Sequence, residues 1–157
     1  MKKIKIIPFA ILVVTALLAV TAYAMEMAEK CPLCGMNIAG NENTAYELSF
    51  TNGTVATYCC AHCGLYAQAM AKGEIKSARA RDFISGEWQD PATMTFLFKS
   101  SAVPACAPSW IAFGKKSEAE KFQKGFGGTV YGFEEALEVR AMMPKGMEMS
   151  GGMMKGM

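Results

Sequence analysis

Histidine is almost absent from this sequence: His62 is the only one among 157 residues. No Ser/His/Asp catalytic set can therefore be assembled without His62. A strong charge of either sign is also lacking. The formal net charge is +2, from 16 Lys and Arg against 14 Asp and Glu. Three of the basic residues, Lys2, Lys3 and Lys5, lie in the first 24 positions, which leaves 13 basic against 14 acidic residues after them. Nothing in that balance is a footprint for nucleic acid. Room for a redox motif is short as well. Only residues 25–30 separate position 24 from Cys31, and Gly35 follows Cys34 directly. A thioredoxin-like Cys-x-x-Cys needs a preceding strand and a following helix, and neither fits there. No enzymatic activity is expected; the enzymatic alternative is a thiol-dependent lyase or oxidoreductase acting through Cys60 or Cys63.

What is present begins with an export signal. The three lysines are followed by an almost wholly apolar stretch, residues 6–20, and by Ala22-Tyr23-Ala24, a small-residue cleavage site. This pattern predicts a signal peptide over residues 1–24, cleaved on export to the periplasm or beyond. The alternative is an uncleaved N-terminal membrane anchor, because the apolar run approaches bilayer-spanning length. The context ahead of Cys31 does not suit a lipoprotein, so no lipid anchor is expected.

Beyond the signal the patterning is that of an α+β protein. Tyr46-Glu47-Leu48-Ser49-Phe50 alternates apolar and polar residues, Asn52-Gly53 supplies a hairpin turn, and Val55-Ala56-Thr57-Tyr58 returns. A short helix is expected over residues 61–72, stopped by Gly73, and a strand over 76–84. Residues 85–91 read as a turn. The pattern then runs again: a strand over 94–99, a loop over 100–108, and the strand Trp110-Ile111-Ala112-Phe113. A helix capped by Ser117, a strand over 129–132 and a terminal amphipathic helix or turn over 133–140 complete it. This predicts two consecutive β-β-α-β units, residues 25–84 and 85–141, sharing one core because each is small.

Sulfur dominates the remaining signal. Cys31 and Cys34 form one pair, and Cys59, Cys60 and Cys63 crowd around His62. Metal ligation and a disulfide framework are the two ordinary explanations. The spacing of Cys31/Cys34 and Cys60/Cys63 is near that of a structural Zn²⁺ site. Cys59 exceeds what a closed tetrahedral site needs, and Met36 offers a thioether, which zinc rarely uses. Cys106 stands alone between Pro104 and Pro108, as a free thiol, a disulfide partner or a ligand from the second unit. His62 can ligate through either ring nitrogen or serve only as a surface or capping group. The last 16 residues hold Met142, Met143, Met147, Met149, Met153, Met154 and Met157 among Gly, Lys and Ser. Such a segment cannot build a packed core and is expected to be a flexible tail over 142–157. Thioethers are neutral and soft, so they select Cu(I) or Ag(I) over Zn²⁺, Mg²⁺ and Ca²⁺.

Cys-Pro-Leu-Cys-Gly-Met at 31–36, Ser-Gly-Glu-Trp at 85–88, and Trp-Ile-Ala-Phe-Gly at 110–114 with Ala119, Phe122 and Gly127-Gly128-Thr129-Val130 resemble the NosL family. These are accessory proteins for copper-centre assembly in nitrous oxide reductase. The similarity runs through most of residues 31–137. It implies an exported Cu(I)-binding protein of two β-β-α-β units, a fold shared with organomercurial lyases. The family's Pro-Met-Gly-like element ahead of the second-unit strand is replaced here by Pro104-Ala105-Cys106-Ala107, a thiolate where a thioether is usual. The Cys-Cys-x-x-Cys segment also resembles YHS/TRASH-type metal-binding modules, over a shorter span.

The expectation is an exported metallochaperone that holds Cu(I) through Cys31, Cys34, Cys59, Cys60 and Cys63, with Met36, His62, Cys106 and the tail methionines as further donors. Its partner would be a copper-accepting enzyme, such as nitrous oxide reductase, or a copper transporter. The alternatives are a zinc-stabilised interaction module and a periplasmic heavy-metal sequestration protein. Oligomeric state is not readable, since thiolates can bridge copper between chains.

Overall fold

The computed structural model describes residues 30–143, Lys72 excepted. The expected signal segment and the tail positions Met147, Met149, Met153, Met154 and Met157 lie outside the described residues.

The hairpin forms where alternation and turn chemistry place it. Strand β1 (Tyr46–Phe50) pairs antiparallel with β2 (Val55–Tyr58), Tyr46 opposite Tyr58. Gly53 takes φ +86°, a left-handed conformation suited to glycine, and the Asn52 side chain accepts from Thr54 N at 2.9 Å. On β1, Tyr46 and Leu48 are fully buried while Glu47 and Ser49, which alternate with them, are less so, the burial period of a strand with one face inward. Helix α1 (Ala61–Met70) follows, and β3 (Ile75–Arg81) returns antiparallel beside β1. Within residues 85–91, expected to be only a turn, a two-residue strand β4 (Trp88–Gln89) adds to β3. The sheet order is β2-β1-β3-β4.

Asp82 ends β3. Its carboxylate accepts from Ile84 N, Ser85 N, Ser85 Oγ and, across the fold, Gly114 N at 3.0 Å. Burial alone would raise its pKa, but these donors outweigh it and hold the carboxyl below its usual range. Asp82 therefore joins the first sheet to the end of the second.

The second sheet has the order β6-β5-β7, from β5 (Thr95–Phe98), β6 (Trp110–Phe113) and β7 (Thr129–Tyr131). Every residue of β6 is buried, which explains its unbroken apolar run. Helix α2 (Lys116–Phe126) lies between β6 and β7, and α3 (Phe133–Ala141) ends the described chain. The expected cap at Ser117 does not form. The helix starts two residues earlier than that cap requires, at Lys116, with Lys115 as N-cap and no side-chain cap bond.

One apolar core serves both sheets, running from Tyr46, Leu48 and Leu65 to Phe96, Phe98 and Trp110. Phe98 stacks on Trp110 with centroids 4.4 Å apart. Helix α3 crosses from the second half and packs on α1. Gly64 of α1 lets Tyr46 approach so closely that a Cβ there would fall 2.1 Å from the ring. No helix of the described residues is long and apolar enough to cross a membrane.

Candidate metal centre

Three segments bring six sulfurs together. The first is the knuckle at Cys31–Cys34, closed by Cys31 N donating to the Met36 carbonyl and Gly35 N to the Cys31 carbonyl, both at 2.8 Å. Gly35 makes the reversal possible at φ +76°. The second is the passage from β2 into α1. Thr44 Oγ1 donates to the Cys59 carbonyl at 2.7 Å, and Cys60 is the extended N-cap residue whose carbonyl accepts from Cys63 N and Gly64 N. Cys59 and Cys63, four residues apart, therefore flank the helix start on one side. The third is the loop between β5 and β6, tied at its base by Ser109 Oγ donating to the Ser100 carbonyl at 3.1 Å. This loop lowers Cys106 onto the other thiols, leaving it 8% exposed.

The sulfurs fall into two groups of four, Cys31/Cys34/Cys59/Cys63 and Cys59/Cys60/Cys63/Cys106, each with all members within 4.8 Å of one another. Cys59 Sγ lies 3.5 Å from Cys34, 3.7 Å from Cys60, 3.6 Å from Cys106 and 3.9 Å from Cys63. Cys106 Sγ is 3.8 Å from both Cys63 and Cys34. All six thiols are free. A disulfide is only about 2.05 Å long. Ligand sulfurs at the corners of a tetrahedron with metal–sulfur bonds of about 2.3 Å lie about 3.8 Å apart. The contacts of the cluster are near that spacing, so either group of four could hold a metal ion.

The grouping differs from the sequence pairing in one respect. It is Cys59 with Cys63, not Cys60 with Cys63, that joins the Cys31/Cys34 knuckle. Cys60 sits at the N-cap, one residue on from Cys59, and its sulfur goes with Cys106.

Burial and proximity spread the acidities of the cluster. The Cys31 thiol is held far below its usual range, first by hydrogen bonds from Cys59 and Cys63, against the effect of burial. Cys60 is likewise held well below, by Cys106 first and then Cys59 and Cys63, with the Cys63 N–H also donating to it. Cys59 and Cys63 are pushed up, first by their hydrogen bonds with Cys106 and then with Cys31. Cys34 is pushed up to about 11, mainly by desolvation. Each group therefore carries one favoured thiolate, while the two shared cysteines keep their protons. Cys34 is the exposed member of the six.

The other predicted donors are placed differently. His62 belongs to neither sulfur group. Its Nδ1 bonds the Pro108 carbonyl at 2.9 Å and its Nε2 bonds Arg140 Nη2 at 2.7 Å. A ring that donates through Nδ1 can accept at Nε2 only when neutral, and burial, then the Arg140 charge, lowers its pKa accordingly. Met36 and Met143 are partly buried against the core that contains the cysteines, whereas Met142 is 77% exposed.

Arg140 has no counterpart in the sequence reading. It is 1% exposed and donates through Nε to the His62 carbonyl at 2.9 Å. It also donates to the Met143 carbonyl and lies over the Tyr66 ring, 4.6 Å from the centroid. One guanidinium thus links the cysteine-bearing turn to the point where the methionine tail departs. Its placement beside Ala136 and Leu137 on a helix that buries its apolar face is the only sequence signal that could have found it.

The family model described as NosL matches residues 22–139. The HTH-type transcriptional repressor CutR of Bacillus subtilis (strain 168) is 32% identical over 99 residues, 62% of this chain and 52% of that protein. The chain thus spans about half the length of the curated relative it matches. The crystal structure of the copper chaperone NosL from Shewanella denitrificans aligns with a TM-score of 0.58 at 23% identity, covering 68% of this chain and 87% of that one. That likeness is one of fold.

Proposed function

Since the chain belongs to the NosL family, we propose that it is a copper carrier, binding Cu(I) through its thiolates and passing it to a copper-accepting partner. The observation that carries this reading is the convergence of six free cysteine sulfurs with no histidine or carboxylate among them. An all-sulfur donor set suits a soft monovalent ion, which is content with two or three thiolates and can change them without leaving the cage. Cys34 is the natural point of exchange, being exposed while the other five are buried. A partner thiolate or thioether enters there before Cys34 leaves, and copper moves without being released to water. The solved structure that shares the fold is itself described as a copper chaperone.

The remaining parts of the reading rest on sequence. The signal-like residues 1–24 favour action outside the cytoplasm, and the methionine tail would collect copper weakly and raise its concentration near the thiolates. The accepting partner is an enzyme that needs copper, such as nitrous oxide reductase, or a transporter.

Zinc is the competing cargo, because either four-sulfur group also suits tetrahedral Zn²⁺. Anaerobic titration of the reduced protein with Cu(I) against a chromogenic chelator, with and without residues 142–157, separates the two. A carrier competes for Cu(I) in both forms and collects it faster with the tail. A protein that ignores Cu(I), retains Zn²⁺ from expression and unfolds on its removal would overturn the proposal.

A further inference from the structure

The two four-sulfur groups have two members in common, Cys59 and Cys63. A single ion uses at most four of the six sulfurs, and as Cu(I) only two or three. The surplus would then be buried thiols packed against one another, an arrangement with no evident structural benefit. Cys60 and Cys106 are both buried and make up the second group together with the shared pair, and Cys106 Sγ also stands 3.8 Å from Cys34 of the first. Placing an ion in each group instead makes two cages sharing one edge. The Cys59–Cys63 separation of 3.9 Å fits that edge, since two sulfurs about 3.8 Å apart can both ligate a metal on either side of their line.

We propose that each chain holds two cuprous ions in one six-sulfur cluster, with Cys59 and Cys63 bridging them. Cys31 and Cys34 complete the outer site, and Cys60 and Cys106 the inner one. This rests on the copper reading above and adds stoichiometry and roles. The bridging thiolates lie between the two positive ions and screen their repulsion, which would otherwise oppose loading a second ion so near the first. The outer site has the exposed ligand Cys34 and exchanges with partners. The inner site has only buried ligands and exchanges through the outer one. Cys106 is the second half's contribution, arriving from the β5–β6 loop, so loading the inner site cross-links that loop to helix α1.

The test is anaerobic loading of the reduced chain with Cu(I), followed by native mass spectrometry and X-ray absorption. The expected result is two ions on a monomer, with copper–copper scattering alongside sulfur. The double substitution Cys60→Ser with Cys106→Ser should reduce the count from two ions to one and abolish the copper–copper signal. Cys31→Ser with Cys34→Ser should likewise leave one ion, now slow to exchange with a chelator. Near-ultraviolet circular dichroism of the two variants checks folding, and the absorption spectrum of the unmodified chain needs no variant at all. Saturation at one ion, or two ions found only in a dimer, overturns the proposal while leaving the carrier reading intact. Two Zn²⁺ bound with no grip on Cu(I) would instead sink the carrier reading and the cuprous cluster together.

Discussion

Arg140 Nη2 bonds His62 Nε2 at 2.7 Å, and Arg140 Nε bonds the His62 backbone carbonyl at 2.9 Å. The last helix of the fold thus grips the turn between Cys60 and Cys63 at both its side chain and its main chain. The arginine touches no sulfur in these bonds; it positions the segment that carries the sulfurs.

Replacing it should therefore cost stability before it costs ligands. Arg140→Met keeps a long apolar stem but leaves the His62 ring nitrogen and carbonyl buried without these donors. Each loss is worth about 1–3 kcal/mol. A drop of about 2–4 kcal/mol in urea unfolding of the metal-free protein is expected. Cu(I) loading should restore part of it, because metal bound to the native state stabilises by mass action. A change below about 0.5 kcal/mol, typical of surface sites, would remove Arg140 from the positioning role.

The same ring sets an acid sensitivity. Its folded-state pKa lies below the ordinary 6.5, by burial first and Arg140 second. Protonation therefore favours the unfolded chain. Stability contributed by neutral His62 is fully present above about pH 6.5 and declines as pH falls below it, by up to about 1.4 kcal/mol per unit. His62→Gln keeps a donor and an acceptor but cannot titrate. The difference between the two stability–pH curves should be flat above pH 6.5 and diverge below it; parallel curves down to pH 5 would refute the assignment.

Gly64→Ala tests the seat of α1 on β1. The added Cβ would stand 2.1 Å from Tyr46 Cγ, with no flexible end to move aside. Overpacking of this kind costs about 1–3 kcal/mol. Since Cys63 precedes Gly64, the same shift should weaken Cu(I) affinity by about tenfold, an energy of about 1.4 kcal/mol. Chelator competition checks this, and unchanged affinity in a destabilised variant would show that the cluster is independent of helix seating.

Metal loading should release protons at neutral pH. The thiols of Cys34, at about 11, and of Cys59 and Cys63, pushed up by their sulfur neighbours, are protonated there and must lose their protons to bind. Apparent Cu(I) affinity should rise with pH across the range 6–8. Calorimetry in buffers of different ionisation enthalpy would report the released protons directly. Pre-loading should also protect Cys34, the exposed thiol, from alkylation.

The two halves of the problem were unequally legible. Element order was readable because burial follows local periodicity: Tyr46 and Leu48 alternate inward, Asn52-Gly53 turns the chain, and β6 is apolar throughout because both its faces are covered. Two boundaries were not. β4 is a pair of residues held only by its β3 partners, and the start of α2 at Lys116 displaced the expected Ser117 cap. Among the site residues, the cysteines announced themselves by density. His62 did not reveal whether it would ligate or support, because that depended on Arg140, 78 positions away.

By itself the sequence indicated the chemistry: six cysteines against one histidine point to a soft, sulfur-rich centre, and short-range patterning decides strands, turns and helices. The tertiary structure decided the stoichiometry of contact. Only packing of the β5–β6 loop against α1 brings Cys106 to Cys63, and only the helix start puts Cys59 rather than Cys60 beside the knuckle. Distances between segments far apart in the chain follow from how the shared core fills, and no local pattern encodes them.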